Sequence, residues 1–147
     1  MNSSLIYLTQ TDTTVGFLSS DDKKLCGAKQ RDPKQKILQV VSCYKVLNQL
    51  VRVPQKHKKF IRRAKTTTII YPNELAFRVI NNNSKHQNFL QKFHLMYSTS
   101  ANKTKNNFNE KYAIENSDVI VYTKDAFQEN KASSIYKISK TKKRRIR

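Results

Sequence analysis

The chain has 147 residues, of which 29 are Lys or Arg and 10 are Asp or Glu, for a formal charge of +19. That length fits a single domain over residues 1–147, and a 37% hydrophobic share fits one modest core. So large a positive charge disfavours a cationic partner and points to a polyanion, nucleic acid first.

Leu5–Leu8 reads as a short strand. Thr9–Thr14 is polar and β-favouring; kept extended, it puts Thr9, Thr11 and Thr13 on one face. Gly16 then permits a tight turn or the close approach of a ligand. Asp21 and Asp22 start a helix through Lys24, Leu25 and Ala28, and Asp32-Pro33 ends it. Ile37–Val41 is a buried type of strand. Ser42 is placed to cap a helix carrying Tyr44, Val46, Leu47 and Leu50. Pro54–Ala64 reads as a helix with a thin apolar face and a basic outer one.

Thr66–Tyr71 and Glu74–Val79 read as strands around the turn Pro72-Asn73. An Asn81–Asn83 loop leads to Ser84, which has capping-box spacing to Gln87 ahead of Phe89, Leu90 and Phe93. Leu95–Tyr97 is a strand that ends at a hydroxyl-rich run. Ala101–Glu110 is a polar loop, and Val119–Tyr122 and Ser134–Ile138 are further strands. Residues 140–147 form a basic tail. Strands and helices alternate, with some adjacent strand pairs. The expected class is α/β, a twisted open mixed sheet with covering helices.

Cys26 and Cys43 make no metal-binding spacing and read as two reduced thiols. His57, His86 and His94 are scattered and read as surface residues. No apolar run reaches the roughly 18 residues of a membrane helix. The start MNSSLIYLTQ lacks the basic and apolar regions of a secretory signal. A cytoplasmic protein without a membrane partner is expected.

Three places carry candidate chemistry. The run Tyr97-Ser98-Thr99-Ser100-Ala101-Asn102 offers small hydroxyl and amide donors, which suit phosphates and a nucleoside. Lys29 and Arg31, in an extended exit towards Pro33, point the same way and suit a carboxylate or triphosphate. Arg78 sits inside the apolar strand AFRV, where a buried guanidinium needs a partner. No side-chain nucleophile triad is evident.

The order QTDTTVGFL, KQR, TTTIIYP, AFRV, STSAN, SSIYKIS and RRIR resembles the YrdC/YciO-like family of threonylcarbamoyl-adenylate synthases. The resemblance runs from Leu5 to Arg147. It implies a YrdC-like sheet with a concave basic cavity. It also implies a nucleotidyltransferase that uses L-threonine, bicarbonate and ATP, with Mg²⁺, to make an activated threonine. That product serves threonylcarbamoyladenosine formation in tRNA, together with tRNA-modification partner proteins.

By the same resemblance Thr11, Asp12 and Thr13 line the threonine pocket, and Lys29 and Arg31 face the nucleotide phosphates. Arg78 is a third catalytic charge. Ser98, Ser100 and Asn102 contact the nucleotide, as do Ser133 or Ser134 and Arg145 or Arg147. No protein side chain is implied as a metal ligand.

The chain departs from the family pattern at several points. Gln10 replaces a Pro, Val15 a Tyr and Lys36 a Pro. Ala64-Lys65 stands for Gly-Pro, and Lys103 for the Gly after the SAN motif. The alternative reading is a relative that binds double-stranded RNA or tRNA with little or no synthase activity. It rests on Arg62, Arg63, Lys142, Lys143 and Arg144 as phosphate contacts.

Overall fold

The computed structural model describes residues 1–80 and 83–147, so the predicted Asn81–Asn83 loop lies largely outside the described residues. The expected α/β class holds: nine strands of mixed direction and five α-helices are present among the described residues. The chain falls into two compact units. The first is Met1–Ile37 with Met96–Lys131, and the second is Leu38–Leu95 with Ala132–Arg147.

In the first unit the strands are β1 (Tyr7–Gln10), β2 (Val15–Ser19), β6 (Leu95–Ser100) and β7 (Val119–Val121). Their order is β7-β1-β2-β6; β7 runs parallel to β1, and the other two pairings are antiparallel. Helix α1 (Asp22–Lys29) starts where Asp21 accepts from the backbone N–H groups of Lys23 and Lys24 at 3.1 and 3.2 Å. It stops at Gln30, which takes a left-handed conformation at φ 51°. Helix α5 (Glu110–Glu115) is capped by Asn109, whose Oδ1 accepts from Tyr112 N at 3.0 Å. The core of this unit joins Leu8, Val15 and Phe17 to Leu25, Ala28 and Ala113.

In the second unit the strands are β3 (Leu38–Val41), β4 (Thr67–Ile70), β5 (Ala76–Val79), β8 (Ser134–Ile138) and β9 (Lys143–Arg145). Their order is β3-β5-β4-β8-β9, with parallel and antiparallel pairings alternating. Helices α2 (Tyr44–Leu50), α3 (Lys58–Arg63) and α4 (Lys85–Leu90) belong to this unit, with a 3-10 turn at Gln55–His57 ahead of α3. Val41, Leu47, Ile61, Ile69, Tyr71, Phe77 and Ile138 form its core.

Several expectations are corrected. Thr9–Thr14 is not one extended run. Thr11 Oγ1 donates to Thr14 O, and Thr11 N donates to the same oxygen at 3.2 Å, so a local turn closes the β1–β2 hairpin. Gly16 lies inside β2, not at the turn. Ser42 is not a cap: Cys43 holds that position with no side-chain bond. Lys29 is the last residue of α1, not part of an extended exit. The strand predicted to end at Tyr97 runs on through the hydroxyl residues to Ser100, with Ala101 and Asn102 after it.

His57 and His86 are buried, while His94 is exposed. Both cysteines are free thiols, as expected. Within the basic tail, Lys143–Arg145 pairs with β8. No described helix is long and apolar enough to cross a membrane.

Candidate functional site

In the first unit, one row of side chains across three strands is unusually small. The register sets Thr9 opposite Gly16 and Gly16 opposite Ser100, so these three share a face. One step along, Leu18 lies opposite Ser98 on that same face. Gly16 is required there. A Cβ at this position would lie 2.9 Å from the Thr99 carbonyl oxygen and 3.0 Å from Thr11 Cγ2. The hairpin turn is drawn over the row: Thr13 N donates to Thr11 Oγ1 at 3.2 Å, and the two hydroxyls are also 3.2 Å apart. Thr11 and Thr13 are buried, and Asp12 between them is half-buried.

Lys29 ties helix α1 to the end of β6. Its Nζ donates to Ser100 O at 3.1 Å, Ser100 Oγ at 3.0 Å, Asn102 O at 3.0 Å and Asn102 Oδ1 at 2.9 Å. All four acceptors are neutral, so the ammonium is held by dipoles rather than by a carboxylate. Burial, and then the nearby Arg31 guanidinium, lower its pKa to about 8. The Lys29 carbonyl accepts in turn from Thr104 N at 3.1 Å and Thr104 Oγ1 at 2.9 Å. Asn102 Nδ2 donates to the carbonyls of Lys103 and Asn106, which fixes the amide's orientation. Arg31 is half-buried and donates to Gln35 Oε1 at 2.7 Å and Lys36 O at 3.3 Å. Both partners are again neutral. In the first unit Lys29 is thus fastened to Ser100 and Asn102 with Arg31 nearby, and among the described residues neither cation is bonded to a carboxylate. That arrangement suits an anion.

The second unit carries a separate polar cluster. Arg78 on β5 is 5% exposed. The register puts Thr68 and Ile135 on its face, and Ser133 follows two residues from Ile135. Thr68 Oγ1 lies 3.0 Å from Ser133 Oγ. Arg147 closes on the same serine, donating from Nε to Ser133 O at 3.0 Å. Ser134 pairs with Thr67, and Arg145 with Tyr136, so both belong to the opposite face. Thr68, the register partner of Arg78, thus meets Ser133, and Arg147 closes on that serine.

Helix α4 adds a buried histidine that sequence reading does not foresee. His86 is 3% exposed, and neither ring nitrogen has a hydrogen-bond partner among the described residues. Burial and the charge of Arg78 lower its pKa to about 3. Thr68 and Thr104 are two further polar partners that sequence reading misses; Thr68 alternates with the apolar Ile69 and could be found from that pattern.

The basic residues read as nucleic-acid contacts also belong to this unit. Arg62, Arg63, Lys142, Lys143 and Arg144 are exposed. Lys143 Nζ lies 3.8 Å from the centroid of the Phe60 ring, and the Arg62 guanidinium 4.8 Å from that of Tyr44. Among the described residues no three His, Cys, Asp or Glu side chains converge as a metal site.

No model of a protein family matches the sequence, and no curated protein is similar to it by sequence. Solved structures share its fold. P. abyssi Sua5 in complex with L-threonine superposes with a TM-score of 0.75 at 12% identity, over 98% of this chain and 50% of Sua5. E. coli YciO gives 0.72 at 12% identity, over 98% of this chain and 82% of YciO. Full-length HypF in a phosphate- and nucleotide-bound form gives 0.72 at 12% identity, over 98% of this chain and 27% of HypF. The chain has the YrdC/YciO/Sua5 fold, as a sequence-divergent example, and spans about half the length of Sua5.

Proposed function

We propose that this chain is a threonylcarbamoyl-adenylate synthase-like protein that uses L-threonine, bicarbonate and ATP. The observation that carries the reading is Lys29: a buried ammonium fixed by Ser100 and Asn102, with Arg31 close by and four neutral acceptors. The fold neighbours support the ligand classes, since one was solved with L-threonine and another with a nucleotide bound. The product would serve threonylcarbamoylation of tRNA.

In the proposed reaction a carbamate oxygen of N-carboxythreonine attacks the α-phosphorus of ATP. The bond from that phosphorus to the bridging oxygen of the β-phosphate breaks, and pyrophosphate leaves. The protein needs no nucleophile. Its work is positioning, and neutralising charge on the phosphates. Lys29 and Arg31 supply positive charge, Ser98 and Ser100 supply hydroxyl groups, and Asn102 orients the Lys29 ammonium. Thr11, Asp12 and Thr13, in the turn between β1 and β2, are assigned the contacts to threonine. Arg78 is assigned a further catalytic charge, and Ser133 and Arg147 polar contacts to the nucleotide.

Mg²⁺ commonly accompanies ATP, and it would shield the phosphate charge. Among the described residues no three His, Cys, Asp or Glu side chains converge, so the ion would be held chiefly by the phosphates themselves.

Purified protein given threonine, labelled bicarbonate and ATP is expected to release pyrophosphate only when threonine is present. Lys29→Ala and Arg31→Ala are each expected to lower that rate at least tenfold, and Arg78→Ala to lower it as well. Threonine-independent release, or full activity in the Lys29 variant, would refute the assignment.

A further inference from the structure

Outside the residues already described, the second unit contains an open groove of ≈ 950 Å³. Three separate pieces of chain line it: the end of α2 through the start of α3, the β4–β5 turn, and the β8–β9 turn. Its charged lining is Arg52, Lys56, Lys58 and Lys140, and no Asp or Glu is among the residues that line it. The acid next in sequence, Glu74, is held by Lys137 at 2.9 Å. Pro54 and Pro72 add flat apolar surface between the cations. Arg52, Lys56 and Lys140 are exposed, and Lys58 is half-buried.

Four like charges around one opening repel each other. Salt screens their mutual repulsion in part, and a bound anion carrying several charges relieves it further. The volume lies at the upper end of the range for small-ligand pockets, and the groove is open to solvent. An extended ligand that enters and leaves fits this better than an enclosed one. A double helix keeps its base faces stacked inside, away from the proline rings, whereas a single strand exposes them. A single strand can lay successive phosphates on the cations and rest a ribose or base edge on the proline rings.

We infer that this groove binds a single-stranded segment of nucleic acid through its phosphate backbone. The inference does not depend on synthase activity, and the two fail separately: binding is measured without ATP or threonine.

The test uses fluorescence anisotropy of the full chain with a labelled single-stranded RNA of mixed sequence, the same RNA as a blunt duplex, and the matching single-stranded DNA. It compares wild type with a variant in which Arg52, Lys56, Lys58 and Lys140 are all Ser. A charge-matched control replaces the exposed Lys23, Lys34, Lys105 and Lys111 of the first unit with Ser. Circular dichroism melts establish that both variants fold.

The groove variant is expected to bind the single strand at least tenfold more weakly. The slope of log affinity against log salt should become shallower by about 2 to 3, at about 0.7 for each phosphate that is no longer neutralised. The control should lose less than threefold, and the duplex should bind more weakly than the single strand. RNA and DNA strands binding alike assigns recognition to the phosphates, and a preference for RNA adds the 2′-hydroxyl; either supports the site. Equal losses in the two variants would make the binding a matter of bulk charge and overturn the inference. So would duplex binding as tight as single-strand binding, full displacement by ATP at one equivalent, or no wild-type binding at low salt.

Discussion

At the scale of single residues, two titratable side chains are held away from their ordinary behaviour by burial, and each gives a measurement. Lys29 sits on four neutral acceptors with a pKa near 8. Raising the pH from 7 to 9 removes most of its charge. ATP affinity is therefore expected to fall severalfold over that range, and Lys29→Arg, which keeps its charge, should flatten the fall. Isothermal titration calorimetry at three pH values checks this; a flat wild-type profile would remove Lys29 from the phosphate site.

His86 is buried and neutral beside Arg78, with a pKa of about 3 in place of 6.5. The unfolded chain binds the proton more readily than the folded one, so stability is fully present above about pH 6.5 and declines as pH falls towards 3. The slope is about 1.4 kcal/mol per pH unit at most. The acid side of the stability curve should flatten in His86→Phe relative to wild type, by urea titration at pH 4 to 7. Parallel curves would show that His86 does not carry the effect. The residue type was legible in the sequence but its burial was not. His86 is one of four buried positions on a short helix, a pattern fixed by what that helix packs against.

At the scale of elements, the sequence was right where pattern and chemistry agreed. The strands over Ile37–Val41, Thr66–Tyr71 and Glu74–Val79, and the helix after Asp21, were legible from β-branched runs, the Pro-Asn turn and an acidic N-cap. Thr9–Thr14 misled because threonine favours extended backbone, while its hydroxyl also closes turns. β9 was missed because Lys-Arg-Arg has no alternation to read, and it exists through backbone pairing with β8. A strand edge of unbroken positive charge also discourages pairing with another chain.

Gly16 is a clear test of an element. The carbonyl oxygen of Thr99 on the paired strand leaves no space for a methyl group. Gly16→Ala is expected to cost about 1–3 kcal/mol of stability through overpacking. Alanine normally favours a strand over glycine, so thermal unfolding at or above the wild-type midpoint would show that β6 is not so close.

At the scale of the whole molecule, charge dominates. With 29 basic and 10 acidic residues, the folded chain concentrates repulsion that the unfolded chain spreads out. Raising ionic strength from about 10 mM to about 150 mM shortens the screening length from about 30 Å to about 8 Å. The melting midpoint should rise by several degrees over that range in a non-binding salt such as sodium chloride. A midpoint that is flat or falls would mean that ion pairing outweighs the excess charge. Single-stranded nucleic acid should raise the midpoint further by binding the folded form.

The sequence by itself determined the α/β class, the order of motifs that resembles the YrdC-like family, and the cationic character of the chain. These are properties of local pattern and composition, and each residue carries them wherever it lies. Only the tertiary structure decided that Lys29 fastens onto Ser100 and Asn102 rather than standing beside Arg31 in open chain. It also decided that Thr68, opposite Arg78, meets Ser133, on which Arg147 closes. The physical reason is that a hydrogen bond or a register pairing joins residues some seventy positions apart. Which hydroxyl meets which cation is set by strand order and pleat, which no local stretch of sequence encodes.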